Sequence, residues 1–416
     1  MRHAGLALLL LSLLVVGCTA SRTEAPPTVA RDTAAAEPSR VAPSVTTDDV
    51  DTDDRTVSAA SSSVAAIVEE SCDAAARTFE FPPVDLEAIE YVVPLGLMYG
   101  SHVTPVDHQY FQNFLDPTRE IEVYSPAAGT ITQIQHMDQR VSEDAGIAIS
   151  DFRLVIDHGC GLSSIFIHIG RLTPGIAAVG PEPGGFVQVS YPVAAGELIG
   201  TFRKNVDYNL VDQSVTLEGL LVPEHYRAEP WKIHTPDPFD YFSESIRVEL
   251  IAKSLRTAEP IGGQFAYDID GRLVGNWFVE GTNGYAGVDR SRYWGTHLSF
   301  AYDFIDPSHV ALSIGTFDGR SEQFGVRGNG PDPAGVGVSS GPVKYELVRY
   351  EYWNGAERWD RVSLVKHLQA RNHETQVFGV LLVELIEDRR LMVESFPGSR
   401  AADVDGFTEA ALIYER

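Results

Sequence analysis

Residue types able to bind a metal or transfer a proton come close together at Asp303, Asp306 and His309. Carboxylate and imidazole groups at such spacing are able to ligate a divalent cation. The same stretch also fits a turn, because Asp306-Pro307-Ser308 is a turn-forming sequence, and we favour the turn. The sequence contains no nucleophile elbow, P-loop or dinucleotide-binding fingerprint. The familiar signatures of nucleophilic and nucleotide chemistry are therefore missing.

A cysteine stands at the end of the first apolar run of the chain. The run extends from Leu6 to Val16 and is followed by Gly17 and Cys18. It is too short to span a bilayer but fits the apolar region of a signal peptide. The stretch that ends in Cys18 resembles a bacterial lipobox. This resemblance implies that residues 1–17 are a lipoprotein signal peptide and that Cys18 is acylated; a chance cysteine after a plain signal peptide is the alternative.

The two remaining cysteines are Cys72 and Cys160. If Cys18 carries a lipid, they remain as a pair in an oxidising compartment, which predicts a disulfide between them. Two free thiols are the alternative, and no neighbouring residues complete a cysteine cluster for zinc. Residues 18–70 contain few large apolar side chains and are predicted to be a disordered tether.

Composition limits the class of partner. The formal net charge is −26, from 32 basic and 58 acidic residues, so nucleic acid phosphates would repel the chain. The residues after the tether are numerous enough for two domains. We place them at 71–257 and 258–416, the second with no function that we can assign.

Turn residues divide the folded part into many short strands. Between residues 84 and 255, β-branched runs alternate with Gly and Pro clusters, and residues 239–254 have helical spacing. From residue 260 onward, Asp-Gly and Asn-Gly pairs are typical of hairpins, and only 362–369 looks helical. Gly275 to Phe278 either lines a ligand pocket or belongs to the core. The predicted fold class is all-β, mainly antiparallel, with few short helices.

Residues 99–242 carry the motifs of a known family. The motifs are Tyr124–Ile131, Ile156-Asp157-His158-Gly159 followed by Ile167-His168-Ile169, Val193–Gly200, and Asp237–Phe242. Their order resembles that of the lysostaphin-like (LytM-type) zinc endopeptidases, which cut peptide cross-links in bacterial cell walls. The resemblance implies a LytM-type β-core.

The metal site of that family is only partly matched here. Family enzymes hold zinc with the His and Asp of H-x-x-x-D and the second His of H-x-H. The spacing from His102 to Asp107 is one residue longer than in that motif, so either a bulge restores the geometry or His108 takes the place of His102. Residues 205–210 stand in place of H-x-H and contain no histidine. In an active enzyme the resemblance therefore implies His102, Asp107, His108 and Asp207 as metal ligands.

His168 stands where the family keeps a catalytic histidine, and the resemblance implies that role only in an active enzyme. Each of these residues also has a structural interpretation. His168 is equally suited to a strand core, Asp107 and His108 to fixing a loop by hydrogen bonding to each other, and Asp207 to capping a turn.

These observations predict an extracytoplasmic lipoprotein, anchored to a bacterial envelope membrane by a lipid on Cys18. We expect its endopeptidase-like domain to act in binding or structural support, without catalysis and without a cofactor. The expected partners are a cell-wall peptide or glycan, or another envelope protein. The alternative is a zinc-dependent cell-wall metallohydrolase with altered ligands.

Overall fold

The computed structural model describes Cys72, residues 77–141 and residues 148–416. The predicted signal peptide, Cys18 and the predicted tether lie outside these residues. The described chain is mostly β-structure with antiparallel pairing between strands, so the predicted fold class is confirmed.

Two sheets are built from the first part of the chain. Their strands are β1 (Tyr91–Val93), β2 (Gln109–Asn113), β3 (Ile121–Tyr124), β4 (Gly129–Val141), β5 (Ala148–Gly159), β6 (Leu162–Ile169), β7 (Arg171–Leu172), β8 (Phe186–Val193), β9 (Leu198–Phe202) and β10 (Lys204–Asp212). One sheet has the order β1-β2-β10-β6-β5-β4-β8 and the other has the order β3-β9-β7.

The pattern of burial shows why these strands form. Along β4 and β5, Ile131, Ile134, Leu154 and Ile156 are fully buried while most of their neighbours are partly exposed. Such alternation places one face of a strand in the core. Phe166 on β6 extends the same core. These strands include the runs that the sequence predicted in this region.

Helices are few and short. The α-helices are α1 (Pro174–Ala177) and α2 (Glu244–Lys253). The 3₁₀ helices are Pro223–Tyr226, Pro230–His234, Pro238–Tyr241, Gly284–Ala286, Arg290–Thr296, Arg327–Asn329, Pro333–Gly335, Val338–Ser340 and Ala401–Asp403. The helix predicted within residues 239–254 is confirmed as α2. It starts after Ser243 and packs Leu250 into the core.

The second part of the chain forms a closed barrel. Its strands are β11 (Gly275–Val279), β12 (His297–Tyr302), β13 (Val310–Phe317), β14 (Arg320–Val326), β15 (Val343–Asn354), β16 (Glu357–Arg358), β17 (Gln369–Glu387), β18 (Arg390–Pro397) and β19 (Leu412–Glu415). The sheet order is β14-β13-β12-β11-β19-β18-β17-β15-β16, and β14 also pairs with β15. Every strand except β16 therefore belongs to a closed antiparallel ring.

Side chains fill this barrel. Trp277, Phe300, Tyr345 and Leu381 are all fully buried in one hydrophobic cluster. Small barrels commonly hold a packed core of this kind. The sequence left open whether Gly275–Phe278 lines a ligand pocket or belongs to the core. The structure places Trp277 of this stretch in the core.

The helix predicted at residues 362–369 is wrong. The carboxylate of Asp360 accepts hydrogen bonds from the backbone N–H groups of Val362 and Ser363, both at 2.8 Å. Arg361 and His367 adopt left-handed backbone conformations, with φ of 65° and 58°. A residue with positive φ interrupts a right-handed helix, so this stretch forms bends before β17.

The turn favoured at Asp306-Pro307-Ser308 is confirmed, because the N–H of His309 donates to the carbonyl of Asp306 at 3.0 Å. The stretch before this turn is held by Asp303. Its carboxylate accepts hydrogen bonds from the backbone N–H groups of Ile305 and Asp306, both at 2.9 Å. The hydroxyls of Tyr350 and Tyr352 donate to its other oxygen. Burial raises the pKa of this carboxyl, and its hydrogen bonds are all used within the turn and the barrel wall.

The barrel and the first sheets pack against each other. A shared cluster joins Tyr91 and Leu255 to Phe304 and Tyr352, and residues from Cys72 to Arg416 form one compact unit. The domain boundaries expected from the sequence stay predictions.

The predicted disulfide between Cys72 and Cys160 is confirmed, with Cα atoms 5.5 Å apart. The Arg77 side chain donates a hydrogen bond to the carbonyl of Cys160 at 3.0 Å and forms an ion pair with Asp212. The start of the described chain is therefore attached to the turn between β5 and β6 by a covalent bond and by polar contacts.

Candidate functional site

Strand register brings the predicted site residues together on the seven-stranded sheet. Asp207 on β10 pairs with Tyr110 on β2 and with Ile167 on β6. Asp107 and His108 come directly before β2. Neighbouring strands place facing residues within contact distance, so the residues before β2, the middle of β10 and the end of β6 meet at one place.

His168 reaches this place because β6 contains a bulge. Ile167 pairs with Arg153 and Ile169 pairs with Phe152, which leaves His168 as the extra residue. Its φ is 74°, a left-handed conformation that is uncommon outside glycine. A bulge redirects a side chain and is frequent beside functional sites.

Two carboxylates hold the His168 ring. Its Nδ1 lies 3.0 Å and 3.1 Å from the two carboxylate oxygens of Asp151. Its Nε2 lies 3.5 Å from Oδ2 of Asp207. The side chain of His168 is 21% exposed, whereas those of both carboxylates are 5% exposed, so the imidazole is the part of this group that reaches solvent.

Asp207 is shared by a second imidazole. The Nε2 atom of His108 also lies 3.5 Å from Asp207 Oδ2, and it forms a 2.9 Å hydrogen bond with the Tyr110 hydroxyl. Asn205 donates to the other Asp207 oxygen at 3.1 Å. One buried carboxylate therefore organises His108 and His168, and it does not cap a turn.

His102 lies at the edge of the cluster. It ends a tight turn in which Tyr99 and His102 exchange backbone hydrogen bonds, and its ring centroid is 5.9 Å from that of His108. Burial, together with the nearby His108 and Lys232, lowers the pKa of His102 to about 3. His102 is therefore neutral at neutral pH.

Asp107 is contacted by donors from several parts of the chain. Its Oδ1 lies 2.8 Å from the Lys232 ammonium. Its Oδ2 accepts hydrogen bonds from Trp231 Nε1 and from Asn209 Nδ2, both at 3.1 Å. Burial alone would raise the pKa of Asp107, but the Lys232 charge and His108 outweigh it, and the pKa is lowered. The group is a carboxylate with donors on both oxygens.

The Lys232 ammonium is enclosed by three groups. Besides Asp107, it contacts the carboxylate of Glu229 at 3.0 Å and lies 4.7 Å from the centre of the Tyr285 ring. The side chain is 7% exposed. Burial alone would lower the pKa of Lys232, yet Asp107 and Glu229 raise it well above its usual value. The cluster therefore contains a permanent positive charge.

These residues do not fit the zinc that the family resemblance implies. Both oxygens of Asp107 are already bonded to N–H donors. Asn209, at the second H-x-H position, donates to Asp107, and an amide is a poor zinc ligand. In the part of the chain that the structure describes, no group of three or more His, Cys, Asp or Glu is arranged to hold a metal. The ligand set of an active enzyme stays a prediction.

All five residues predicted for this site lie in the cluster, but the sequence did not indicate several other members, among them Lys232, Trp231 and Tyr285. Lys232 and Trp231 lie on the 3₁₀ helix Pro230–His234, which has no periodic pattern, and Tyr285 comes from the barrel part of the chain. Only the tertiary structure brings them to Asp107.

Comparisons with known proteins give distant matches among solved structures. No family model and no curated protein matches the chain. Among solved structures, it is similar to a chain of the SpoIIQ–SpoIIIAH pore-forming complex, with 11% identity, 40% of this chain and 92% of that chain covered, and a TM-score of 0.24. At that identity and TM-score the match does not assign a family. None of the helices in the described residues is both long and apolar enough to cross a membrane.

Proposed function

We propose that this protein is a lipid-anchored envelope lipoprotein whose LytM-like part binds or supports the cell envelope without catalysing hydrolysis. The observation that carries the proposal is the contact between Asp107 and Lys232. The carboxylate that the family resemblance assigns to the metal is paired instead with an ammonium at 2.8 Å. A zinc hydrolase needs three protein ligands and an open position for water, and this pairing removes the first of them.

The partner in this proposal is a cell-wall peptide or glycan. His168 offers a partly exposed imidazole whose orientation is held by Asp151 and Asp207. A polar group held in place loses little entropy on binding a hydrogen-bonding ligand. This preorganisation supports a binding role for the site.

The proposed anchor is tested separately from the site. We expect the wild-type protein to be in the membrane fraction and to carry the mass of its acyl chains. A full-length Cys18→Ser variant is expected to lack the mass of the acyl chains. The same acyl mass on both proteins, or on neither, would refute anchoring through a lipid on Cys18.

Wall binding is tested by retention of the full-length Cys18→Ser protein on purified cell wall at moderate salt. We expect His168→Asn, made in the same background, to weaken retention, because asparagine tolerates positive φ but lacks the imidazole. Phe186→Ser is the matched control, since Phe186 is exposed on the edge strand β8. Failure of the Cys18→Ser protein to be retained would contradict the wall-binding proposal.

One observation favours the alternative, a zinc hydrolase with altered ligands. His108 and His168 each present Nε2 at 3.5 Å from the same Asp207 oxygen, so three potential donors are close together. Metal content after zinc-supplemented expression distinguishes the two functions. Close to one equivalent of zinc, together with cleavage of cross-linked wall peptides, would support the hydrolase.

A further inference from the structure

We propose that the Lys232 ammonium is the resident cation of this site, in place of a divalent metal, and that the C-terminal barrel closes its cage through Tyr285. This inference goes beyond the proposed function, because it concerns what the site contains and why the barrel is present. It does not depend on whether the protein binds cell wall.

The first argument is the balance of charge. Asp107 is 2% exposed, and Glu229 contacts the same ammonium as Asp107 does. Buried carboxylates are costly unless a cation or several hydrogen bonds compensate them. Lys232 supplies that cation at 2.8 Å from Asp107 and 3.0 Å from Glu229.

The second argument is the way in which one short helix contacts Asp107. Trp231 and Lys232 are consecutive on the 3₁₀ helix Pro230–His234. Trp231 donates to Oδ2 of Asp107, and Lys232 contacts Oδ1. The Thr235 hydroxyl donates to the Trp231 carbonyl at 3.1 Å and so fixes the end of the helix. The helix thus contacts both oxygens of the carboxylate, where a bound metal and the groups that orient its ligands would otherwise lie.

The third argument is the wall that the barrel part provides. The ring of Tyr285 faces the ammonium, and an aromatic face attracts a cation most strongly when water is excluded. Tyr293 and His297 pack around Tyr285, with ring centroids 5.5 Å and 5.1 Å from it. Burial lowers the pKa of His297 to about 3, so this wall is neutral and adds no competing charge.

The barrel also holds the turn that carries His102. The side-chain amide of Gln323, on β14, accepts from the N–H of Gly100 and donates to its carbonyl, both at 3.0 Å. The barrel is therefore in contact with two sides of the cluster, at Tyr285 and at Gly100. This placement gives the C-terminal part a role as the cover of the cation site.

The test is a double-mutant cycle followed by urea unfolding of the full-length Cys18→Ser protein. We expect Lys232→Met to shift the unfolding equilibrium by roughly 100-fold or more towards the unfolded state, because it leaves the buried Asp107 carboxylate without its cation. Asp107→Asn is expected to shift the equilibrium in the same direction but by less, because Glu229 still contacts the ammonium. The double variant is expected within about tenfold of the parent, because the pair is replaced by neutral groups of similar size. Two additive losses in the double variant would overturn the proposal.

The same cycle decides the case in which a single variant does not fold. A folded double variant beside an unfolded Lys232→Met protein supports the pairing, and two unfolded proteins contradict it. Zinc and a chelator are then added to the Cys18→Ser parent. We expect neither to move its unfolding midpoint, and a rise in the midpoint with zinc would show that a metal is the resident cation instead.

The contribution of the barrel is tested by Tyr285→Leu, with Tyr285→Phe as the matched control that keeps the aromatic face. We expect Tyr285→Leu to destabilise the Cys18→Ser parent more than Tyr285→Phe does. In the Lys232→Met background, the difference in unfolding free energy between Tyr285→Leu and Tyr285→Phe should be smaller, because the ammonium is absent. An equal difference in both backgrounds would refute the role of Tyr285 in the cage.

Discussion

Acid sensitivity should depend strongly on one buried carboxylate, Asp212, at the end of β10. Its side chain is 1% exposed. It forms an ion pair with Arg77 and accepts hydrogen bonds from the Tyr241 hydroxyl at 2.6 Å and from the Ser214 hydroxyl and N–H at 2.6 Å and 2.9 Å. Burial alone would raise the pKa of Asp212, but Arg77, Ser214 and Tyr241 outweigh it and lower the pKa from 3.8 to about 2.

The sign of the effect follows from this direction. The pKa in the folded state lies below the value in the unfolded state, so the stabilisation is present above about pH 4 and is lost as the pH falls towards 2. The difference between the two values corresponds to about 2 kcal/mol of unfolding free energy. Below both values, the protonated carboxyl contributes none of it.

The measurement compares the full-length protein with its Asp212→Asn variant by urea unfolding at several pH values. All other carboxylates are common to the two proteins, so their titration cancels in the difference. We expect the stability gap between the two to narrow by about 2 kcal/mol between pH 5 and pH 2. A gap that stays constant over this range would refute the reasoning.

Asp270→Asn is the control for this experiment. Asp270 also pairs with an arginine, Arg389, but its side chain is 57% exposed. Exposed ion pairs are screened by solvent and contribute little. The difference in unfolding free energy between Asp270→Asn and the wild type should change less with pH than the difference between Asp212→Asn and the wild type does.

Three further substitutions probe other parts of the molecule. Replacing Cys72 and Cys160 by serine should cost on the order of 4 kcal/mol, because the disulfide closes a long loop in the unfolded chain; an unchanged urea midpoint would contradict this. Arg416→Met leaves the buried Asp268 without its cation and should cost about 3–5 kcal/mol, measured by thermal unfolding, with recovery expected when Asp268→Asn is added. His168→Ala should lower the unfolding free energy by roughly 1–3 kcal/mol. If the wild type hydrolyses wall peptides and the variant does not, that result would argue for the enzyme instead.

The place of the candidate site could be predicted because its residues belong to local motifs. Asp107 and His108 precede a strand, Asp207 lies within one and His168 ends another, and antiparallel pairing brings these strands together. What the motifs did not contain is the cation. Lys232 lies beyond β10 on a 3₁₀ helix, and its partner Asp107 is 125 residues away. Charge pairing over such a separation leaves no pattern in the sequence.

The barrel shows a similar limit. Asp318-Gly319 predicted an antiparallel hairpin, which depends on local backbone geometry, and it joins β13 to β14. Asp270-Gly271 forms a turn but does not join two strands. Closure depends on the pairing of β14 with β15 and of β11 with β19, which local signals do not specify. The helix expected at 362–369 failed for a local reason that propensity overlooks, because Asp360 bonds the next N–H groups in a non-helical turn.

The closed ring of the barrel has a consequence for the order of folding. The β4–β5–β6 meander pairs strands that are neighbours in sequence, so it can form early and locally. The ring closes only when β11 meets β19, where the N–H of Gly281 bonds the carboxylate of Glu415, 134 residues further along the chain. Contacts between residues so far apart in sequence require a large loss of chain entropy before they contribute stability. Barrel closure is therefore expected to be the slow step of folding.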